Sequence, residues 1–578
     1  MSNDKGDSSF MRSLCFGRID EDQIFPFPQM KAEEKATLHQ LRDAFATWLK
    51  GRDADFRAWD VSGELPAAFL QEMREMGLFS LVIPEAHGGL GFSSTAYSRA
   101  LQELVTYDSS LTITAGAHSS IGMRGLLLFG TEAQKARYFP RLATGEMIAA
   151  FCLTEAGAGS DAAALKTRAV KDGADWLLTG EKIWITNGGI ADFFTVFART
   201  EGEHGQMTAF IVTRDMPGVS TSPHEDKMGL RSSSTTSVRF DNVRIHPEQV
   251  LGEAGKGFKL AMKILNSGRT GLGGGCIGMM KKAIALSSRQ AQDRQQFGKP
   301  IAEYGLIKQK LGHMVIDCYA AESTVTLVAG LIDKGVEDYA VEAAISKVFA
   351  SECLWRTADE ALQVAGGNGY MREFPYERML RDARINRIFE GTNEILRLFI
   401  ALTAMNEVGR ELKEVSKTIG TVLNDPIKGF GVLSDYARRR VNYATGYGKA
   451  QVTLAHPDLK PYTAVFEECT RQLAAAVDRI LRKHGKAIVE KQFATRRLAD
   501  IMIDLFALAA VISRVSAAVY EKGAAAAKPE KDILEVFCGQ VSRRVRGNFN
   551  KIDDNDDELI KSLAEHAYTH NGYSWDNI

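Results

Sequence analysis

The chain has 578 residues, of which 45% are hydrophobic and 25% charged, a composition typical of globular proteins with several domains. Its 71 lysine and arginine residues nearly balance 72 acidic residues, and a net charge of −1 excludes a general attraction to nucleic acid. The seven cysteines are scattered without a CxxC pair, which predicts reduced thiols and no metal site. No uncharged apolar stretch approaches the roughly 18–20 residues of a membrane span, and the first residues lack a targeting pattern, so we expect a cytoplasmic protein.

Two periodicities divide the chain into helical and strand-rich regions. Leu41, Phe45 and Leu49 recur at the spacing of one helix face, whereas short runs such as FFTVFA and TAFIVT begin at about residue 149. Helical patterns return after residue 258, and the glycines that follow residue 405 predict an irregular linker. The predicted organisation is 1–33 N-terminal arm, 34–148 α-helical domain, 149–258 β domain, 259–405 α-helical bundle, 406–455 linker and 456–578 C-terminal α-helical domain. The predicted fold class is mainly α with a central β domain.

The segment GGGCIG (273–278) matches the GxGxxG pattern of dinucleotide-binding loops. The residues before it, KLAMKILNSGRT, have a helical period, so the strand that must precede such a loop is missing. We therefore predict that these glycines serve close packing between helices and do not bind a dinucleotide.

Two segments join a strand to polar groups that suit a ligand. FCLTEAGAGSD (151–161) runs from a strand into a glycine-rich loop, whose backbone N–H groups suit a phosphate-bearing or polar planar ligand. KIWITNGG (182–189) places Trp184 two residues before Thr186, which predicts that both lie on one face of a strand. A plain turn in the first segment and a core tryptophan in the second are the alternative interpretations.

One carboxylate stands in an apolar setting. In RINRIFEGTNEILR (384–397), Glu390 follows an Ile-Phe pair and precedes a glycine. Burying a carboxylate is costly unless it is paired or serves a function. From these residues alone, a buried ion pair with Arg387 or Arg269 is the preferred interpretation.

The order of the motifs adds a further observation. TEAGAGSD, WITNGG, DRQQFGKPI (293–301), QVAGGNGY (363–370) and IFEGTNEI (388–395) follow one another across the α-β-α pattern. In this order they resemble the acyl-CoA dehydrogenase family of flavoproteins. Four further segments resemble the very-long-chain branch of this family: GRIDEDQIFPFPQ (17–29), GAHSSIG (116–122), EYGLIKQKL (303–311) and KHGKAIVEKQFATRRLAD (483–500). The resemblance runs from about residue 8 to the end, and it implies an α-domain, a β-barrel, an α-bundle and an extra C-terminal α-helical domain.

The resemblance implies a reaction and a set of site residues. Glu390 is then the catalytic base that removes the α proton of an acyl-CoA, the β hydrogen passes to FAD, and trans-2-enoyl-CoA results, as in the first step of fatty acid β-oxidation. The implied FAD contacts are Phe151, Leu153, Thr154, Trp184, Ile185, Thr186, Arg294, Phe297, Gln363, Gly366, Gly367, Thr392 and Glu394. The implied substrate contacts are Ser160, Asn266, Arg269 and Gly391. No metal is implied.

The resemblance also implies partners and a chain-length preference. Electrons pass to electron-transferring flavoprotein, and flavin sites shared across a subunit interface imply a homodimer or a dimer of dimers. Ala115, Gly116 and Ala117 leave room at the far end of the acyl tunnel, so we expect long acyl chains, at roughly 0.8 kcal/mol for each added methylene. Close helix packing is the alternative explanation for these small residues. RRR (438–440) and the basic stretch 479–514 favour a peripheral contact with an anionic membrane, although solvated faces explain such runs as well.

Two other functions stay open on sequence grounds. One is a non-catalytic assembly or scaffold protein that retains the fold, and the other is an acyl-CoA oxidase that reduces O₂. The presence of Glu390, Trp184 and Thr186 argues against a loss of catalysis. Both a flavoprotein and O₂ are compatible with these residues as the electron acceptor.

Overall fold

The structure is a computed structural model that describes residues 9–200, 206–421, 426–448 and 450–576. The chain divides into two compact units. The first contains Phe27–Ile395, and the second combines Ser9–Pro26 with Leu396–Ile578. The first helix, α1 (Phe10–Cys15), thus belongs to the second unit, although we predicted an arm over residues 1–33.

Helices come first in the first unit. They are α2 (Ala32–Leu49), α3 (Asp53–Ser62), α4 (Ala67–Glu75), α5 (Ser94–Leu104), α6 (Ser109–Ala117), α7 (Arg124–Phe129) and α8 (Glu132–Ala143). Side-chain caps fix three of the starts, because Ser93 accepts a hydrogen bond from Ala96 N, Asp108 accepts one from Leu111 N and Thr131 accepts one from Gln134 N. A short π-helix, His118–Gly122, directly follows α6, and such insertions in helices often accompany functional sites.

An eight-stranded sheet follows these helices. Its strands are β1 (Ala149–Cys152), β2 (Arg168–Asp172), β3 (Asp175–Thr186), β4 (Phe193–Thr200), β5 (Met207–Thr213), β6 (Val219–Thr221), β7 (Thr235–Ile245) and β8 (Val250–Leu251). The strand order is β6-β7-β3-β2-β4-β5-β8, and β1 pairs in parallel with β4. Gly173, with a φ of 64°, turns the chain between β2 and β3, a conformation that an Asp-Gly pair favours in a hairpin. Phe194, Phe210 and Val212 are fully buried within the core of the sheet.

Long helices complete the first unit. The elements are α9 (Gly257–Asp293), a hairpin of β9 (Gln295–Gln296) and β10 (Lys299–Pro300), α10 (Gly305–Asp333), α11 (Ala340–Ala365), α12 (Gly367–Tyr370) and α13 (Tyr376–Arg384). A Cβ added at Gly274 would lie 2.5 Å from Ser98 O, and one at Gly278 would lie 2.1 Å from Gln102 O. The GGGCIG glycines therefore let α9 pack closely against α5. Their location inside a helix confirms that they form no dinucleotide-binding loop.

The remaining helices are α14 (Asn393–Thr421), α15 (Pro426–Thr445), α16 (Lys460–His484), α17 (Gln492–Lys522), α18 (Lys528–Asp553) and α19 (Asp557–Thr569). Helices α14 and α15 cover most of residues 406–455, where we predicted an irregular linker. Pro426 stands at the first position of α15, where the fixed φ of proline favours a helix start. In the second unit, Phe10 lies with its ring centroid 6.5 Å from that of Phe466 and 6.1 Å from that of Phe506.

Two helices, α10 and α17, are long and apolar enough to cross a membrane by length and composition. Their most apolar windows are 67% and 83% buried inside the protein, as in the core helices of globular units. Charged residues interrupt both helices, Asp317 and Glu322 in α10 and Asp504 and Arg514 in α17, so neither is an uncharged apolar stretch of membrane-spanning length. The predicted fold class, mainly α with a central β domain and an extra C-terminal helical region, is confirmed.

Candidate active site

A cavity of the first unit lies beside α5, α6 and α9. Its volume is about 60 Å³, which makes it a narrow cavity. Its apolar lining comes from Leu101, Val105, Ile113, Leu230, Leu272, Met279, Leu354 and Phe389. The cavity therefore suits an apolar ligand, and one charged side chain, Glu390, borders it.

The cavity extends along one face of α9. A Cβ added at Gly268 would lie 3.8 Å from Glu390 Oε1, so the carboxylate packs against this point of the helix. Gly271, Gly275 and Met279 line the cavity at steps of four residues, which places them on the same face. Met279 is eleven residues beyond Gly268, or about 16 Å at 1.5 Å per residue. The cavity is thus long and apolar, with Glu390 near one end.

The conformation and surroundings of Glu390 are unusual for a carboxylate. Its φ is 55°, a left-handed conformation that costs about 1–3 kcal/mol outside glycine. The side chain is partly accessible because it borders the cavity, but Oε2 is buried without a hydrogen-bond partner in the part of the chain that the structure describes. Burial raises the pKa of Glu390, while the charges of Arg269 and then Lys347 lower it. Such a carboxylate accepts a proton readily, as a general base must.

The two arginines considered as ion-pair partners of Glu390 have other contacts. Arg387 Nε lies 3.1 Å from Glu352 Oε2, and Arg269 donates a hydrogen bond to Asn266 Oδ1. Arg269 acts on Glu390 through its charge and lies on α9 next to Gly268. These contacts do not support a purely structural ion pair. They do place the implied substrate contacts Asn266 and Arg269 on the segment of α9 that faces Glu390.

The two segments implied to hold the flavin are neighbours. Ile183 N donates a hydrogen bond of 2.9 Å to Thr154 O, which joins β3 to the end of β1. The pairing of β3 with β7 shifts register between Lys182 and Ile185, and Trp184 has a φ of 56° at this irregularity. The Trp184 side chain is 64% exposed, so it is not a core tryptophan. The shift also breaks the simple alternation that we expected to place Trp184 and Thr186 on one face.

A buried ion pair fixes these two segments to each other. Lys182, with no exposed surface, lies with Nζ 2.7 Å from Glu155 Oε1 and donates to Leu153 O at 3.1 Å. Glu155 also accepts from Lys166 N at 2.6 Å and Thr167 N at 3.0 Å. The position of the Thr154 strand end relative to β3 is therefore set from within the core.

Asn187 links the same strands to the cavity. Its Nδ2 donates to Thr114 O at 3.0 Å and to Ala149 O at 3.3 Å, although the buried position would suit an apolar residue. Thr114 belongs to α6, which lines the cavity, and Ala149 starts β1. Asn187 thus connects the segments implied to bind the flavin to the helix that lines the cavity beside Glu390.

The other implied FAD contacts lie at the surface in separate segments. Arg294 directly follows α9, and Phe297 is 93% exposed with a φ of 53°. Gln363, Gly366 and Gly367 are exposed at the turn from α11 to α12. Thr392 accepts a hydrogen bond from Ile395 N at 3.2 Å and caps α14, and Glu394 is exposed in its first turn.

These residues fit FAD. The exposed ring of Trp184 offers an aromatic face to a planar ring system. A Cβ added at Gly366 or Gly367 would meet nothing within 4 Å, which leaves open backbone where a phosphate or adenine can approach. The guanidinium of Arg294 suits a pyrophosphate. Ser160, implied to contact substrate, is exposed in the loop that follows β1.

The prediction that Ala115 and Ala117 border the acyl tunnel is wrong, and several polar residues near the site were not predicted. Gly116 lines the cavity, but Ala115 and Ala117 are buried outside it, at 1% and 4% exposure, because only one side of α6 faces the cavity. The missed residues are Glu155, Lys182, Asn187 and Lys347. Lys347 had a detectable signal, since a lysine within the apolar run VEAAISKVFA of α11 requires buried partners.

Comparison with protein families covers most of the chain. The models described as acyl-CoA dehydrogenase N-terminal, middle and C-terminal domains match residues 35–146, 150–243 and 255–405. The model described as ACAD9/ACADV C-terminal domain matches residues 457–573.

Individual proteins give the same result. The chain is 41% identical to the mitochondrial very long-chain specific acyl-CoA dehydrogenase of Homo sapiens over 93% of this chain and 83% of that protein. An acyl-CoA dehydrogenase of Bacillus anthracis, solved with FAD, is similar with a TM-score of 0.80 and 33% identity over 96% of this chain and 94% of that one. A chain in the structure described as an electron transferring flavoprotein of Acidaminococcus fermentans has a TM-score of 0.62 and 34% identity, covering 65% of this chain and 98% of that one.

Proposed function

The chain belongs to the acyl-CoA dehydrogenase family, and from this membership we propose that it is an FAD-dependent dehydrogenase of long- or very-long-chain acyl-CoA. The reaction removes one hydrogen from each of the α and β carbons and gives trans-2-enoyl-CoA, the first step of fatty acid β-oxidation. The observation that carries the proposal is the position of Glu390, a carboxylate with an unpartnered buried oxygen in the described structure, beside a long apolar cavity.

Glu390 acts as the general base. The α carbon of a thioester is a weak acid, so the base must bind a proton strongly, and burial in the apolar wall provides this by raising the pKa of Glu390. Arg269 and then Lys347 oppose this effect, because their positive charges favour the carboxylate form and lower the pKa of Glu390. FAD, held by the residues implied to contact it, would supply the acceptor for the hydride that leaves the β carbon. The apolar cavity keeps water away from the acyl chain during proton transfer.

The cavity supports a preference for long acyl chains. Its lining on α9 extends from Gly271 to Met279, eight residues or about 12 Å at 1.5 Å per residue. Three glycines, Gly116, Gly271 and Gly275, line it and add no side-chain volume. Each methylene that enters such a space contributes roughly 0.8 kcal/mol of binding, which favours long substrates.

We extend the proposal to the assembly of the protein. A homodimer, or a dimer of dimers, is supported by large apolar side chains that the first unit leaves exposed near the implied FAD contacts: Phe297 at 93%, Leu306 at 73% and Tyr370 at 80%. Burial of these side chains against a second chain would complete the flavin site.

The electron acceptor and the location belong to the same proposal. Electron-transferring flavoprotein as the acceptor is supported by the similarity of the chain to one in an electron transferring flavoprotein structure. A cytoplasmic location is supported by the seven cysteines, which are buried and form no disulfide in the described part of the chain, as in a reducing compartment. A peripheral membrane contact is supported by the exposed Arg438 and Arg440 beside Val441, which is 55% exposed, whereas Arg439 pairs with Glu411. Binding to anionic vesicles in a sedimentation assay tests the last point.

One experiment tests the central proposal. The protein, purified with one FAD per chain, is titrated anaerobically with acyl-CoA of 8, 12, 16 and 20 carbons while the flavin absorbance is recorded. We expect bleaching with all long substrates and the highest apparent affinity for chains of 12 carbons or more. A yellow protein that no acyl-CoA bleaches refutes the proposed reaction, and a colourless protein that cannot be reconstituted with FAD supports a scaffold role. Rapid reoxidation by air would identify an oxidase.

A further inference from the structure

A buried lysine lies directly behind the catalytic segment. Lys347, in α11, has no exposed surface. Its Nζ donates to Gly391 O at 2.8 Å and to Asn393 Oδ1 at 2.9 Å. These two acceptors belong to the first and third residues after Glu390. A charged amine is costly to bury, so its position in the middle of an apolar helix requires a compensating role.

Hydrogen bonds and an ion pair around Lys347 fix the chain on both sides of Glu390. Asn393 is also fully buried, and its Nδ2 donates to Ser351 Oγ at 3.0 Å and to Glu352 Oε1 at 2.9 Å. The other oxygen of Glu352 pairs with Arg387, three residues before Glu390. Three side chains of α11 thus hold the segment 387–393 at its start and its end. This explains how a non-glycine residue is kept at a φ of 55° between them.

We propose that Lys347 is a positioning residue of the dehydrogenation, which fixes the left-handed backbone at Glu390 and, as a buried cation, keeps that base deprotonated at the working pH. This inference rests on the proposed function, because it assigns a role toward the base of that reaction. Lys347 touches neither substrate nor cofactor in this assignment. It acts through Gly391 O, Asn393 and its charge.

The charges that face Lys347 agree with this role. Glu390 lies in front of it, Arg269 and Cys276 face it from α9, and Glu352 faces it from α11. Burial lowers the pKa of Lys347 to about 8, and Glu390 is the largest influence that raises it. Burial raises the pKa of the Cys276 thiol to about 12, so this group is neutral near pH 7. Below about pH 8, Lys347 therefore carries a positive charge beside a carboxylate whose own burial favours protonation.

Two variants separate the charge from the hydrogen bonds. Lys347→Gln removes the charge and keeps an N–H donor, whereas Lys347→Met removes both. Loss of a nearby positive charge raises the pKa of Glu390. Flavin reduction requires the carboxylate form, so as the pH is lowered the variant begins to lose its rate at a higher pH than the parent protein does. For Lys347→Gln we expect the acidic limb of the rate profile to move up by about one pH unit, which means about tenfold slower flavin reduction on that limb and recovery at high pH.

For Lys347→Met we expect the same displacement and, in addition, a lower rate at every pH, because Gly391 O loses its donor and the Glu390 backbone is no longer held. The measurement is stopped-flow flavin reduction by saturating 16-carbon acyl-CoA from pH 5.5 to 9.5, with a thermal melt and FAD content for each variant. The matched control is Lys282→Gln, since Lys282 is a second lysine with its pKa lowered by burial, but its neighbours are Asp108 and Arg378 and not Glu390.

The outcomes are distinct. A displaced acidic limb in Lys347→Gln with an unchanged limb in Lys282→Gln supports the inference. A folded, FAD-loaded Lys347→Gln with the parent profile overturns it, whatever the effect on the melting temperature. If Lys347→Met does not fold, Lys347→Gln alone decides. A parent protein that no acyl-CoA reduces would instead refute the proposed function, so the two failures are not confused.

Discussion

Replacing Gly275 by leucine tests whether the cavity beside Glu390 holds the acyl chain. Gly275 lines this cavity on α9, and a Cβ added there would meet nothing within 4 Å, so the new side chain projects into open space. Leucine is also a better helix former than glycine by about 0.8–1 kcal/mol, so the helix itself gains stability. A loss of function therefore cannot be attributed to loss of the fold.

The size of the effect follows from the geometry of α9. Gly275 is seven residues beyond Gly268, about 10 Å from the carboxylate end, and Met279 is about 6 Å farther. An extended chain advances about 1.2 Å per bond, as the polypeptide backbone does. Acyl chains of about 8 carbons therefore end before Gly275, whereas longer chains place about five methylenes beyond it. At roughly 0.8 kcal/mol each, their exclusion costs about 4 kcal/mol, or about 10³-fold in kcat/KM as an upper limit.

We expect the ratio of kcat/KM for 16-carbon over 8-carbon acyl-CoA to fall by on the order of 10²- to 10³-fold in Gly275→Leu. Gly275→Ala should change this ratio little, because one methyl group leaves most of the cavity open. Gly547→Leu, the same substitution at a position of α18 where a Cβ also meets nothing within 4 Å, is the second control. An unchanged ratio in a folded Gly275→Leu would refute the assignment of this cavity to the acyl chain.

Three further substitutions test other parts of the site. Glu390→Gln removes the proton acceptor and keeps the shape of the side chain, so we expect a folded, yellow protein that binds acyl-CoA. Its flavin reduction, measured by stopped-flow absorbance, should be slower by on the order of 10²-fold or more, and near-parent rates would exclude Glu390 as the base. Arg294→Ala should lose FAD on dilution while its circular dichroism stays unchanged, because the pyrophosphate loses charge-assisted hydrogen bonds, and full flavin retention would contradict this contact. Leu230 has a φ of 49° and lines the cavity. Leu230→Gly should therefore relieve about 1 kcal/mol of backbone strain and raise the relative kcat/KM of the longest acyl-CoA. A lower melting temperature with an unchanged chain-length profile would argue against a role of Leu230 in limiting the acyl chain.

Periodicity predicted the elements well because each depends on neighbours in sequence. The helical spacing of Leu41, Phe45 and Leu49 and the alternating runs after residue 149 correspond to α2 and to the strands of the sheet. The linker predicted from the glycines after residue 405 was wrong, since glycine weakens a helix by only about 1 kcal/mol and tertiary packing can override that preference. No local pattern indicates that α1 joins a unit whose other residues begin at Leu396.

The site was predictable to a different degree. Glu390 drew attention because a carboxylate between apolar residues is unusual, and its buried oxygen bears this out. The direction of side chains was harder to predict: Gly116 faces the cavity and Ala117 does not, and one shift in strand register turns Trp184 outward. Such details depend on how elements meet in space. The contacts of Lys347 with a segment more than forty residues away in sequence belong to the same class.

The pairing of α1 with the second unit has a consequence for synthesis of the protein. Phe10 leaves the ribosome roughly 500 residues before Phe506, on which its ring packs. At about 5–20 residues per second, this interval lasts roughly 25–100 s. During this interval, the side chains of Phe10, Met11 and Leu14 are not covered by the later helices. None of the three has exposed surface in the folded protein. A chain that stops short of α16 and α17 leaves its own beginning uncovered, so damage at one terminus becomes visible to chaperones and proteases at the other.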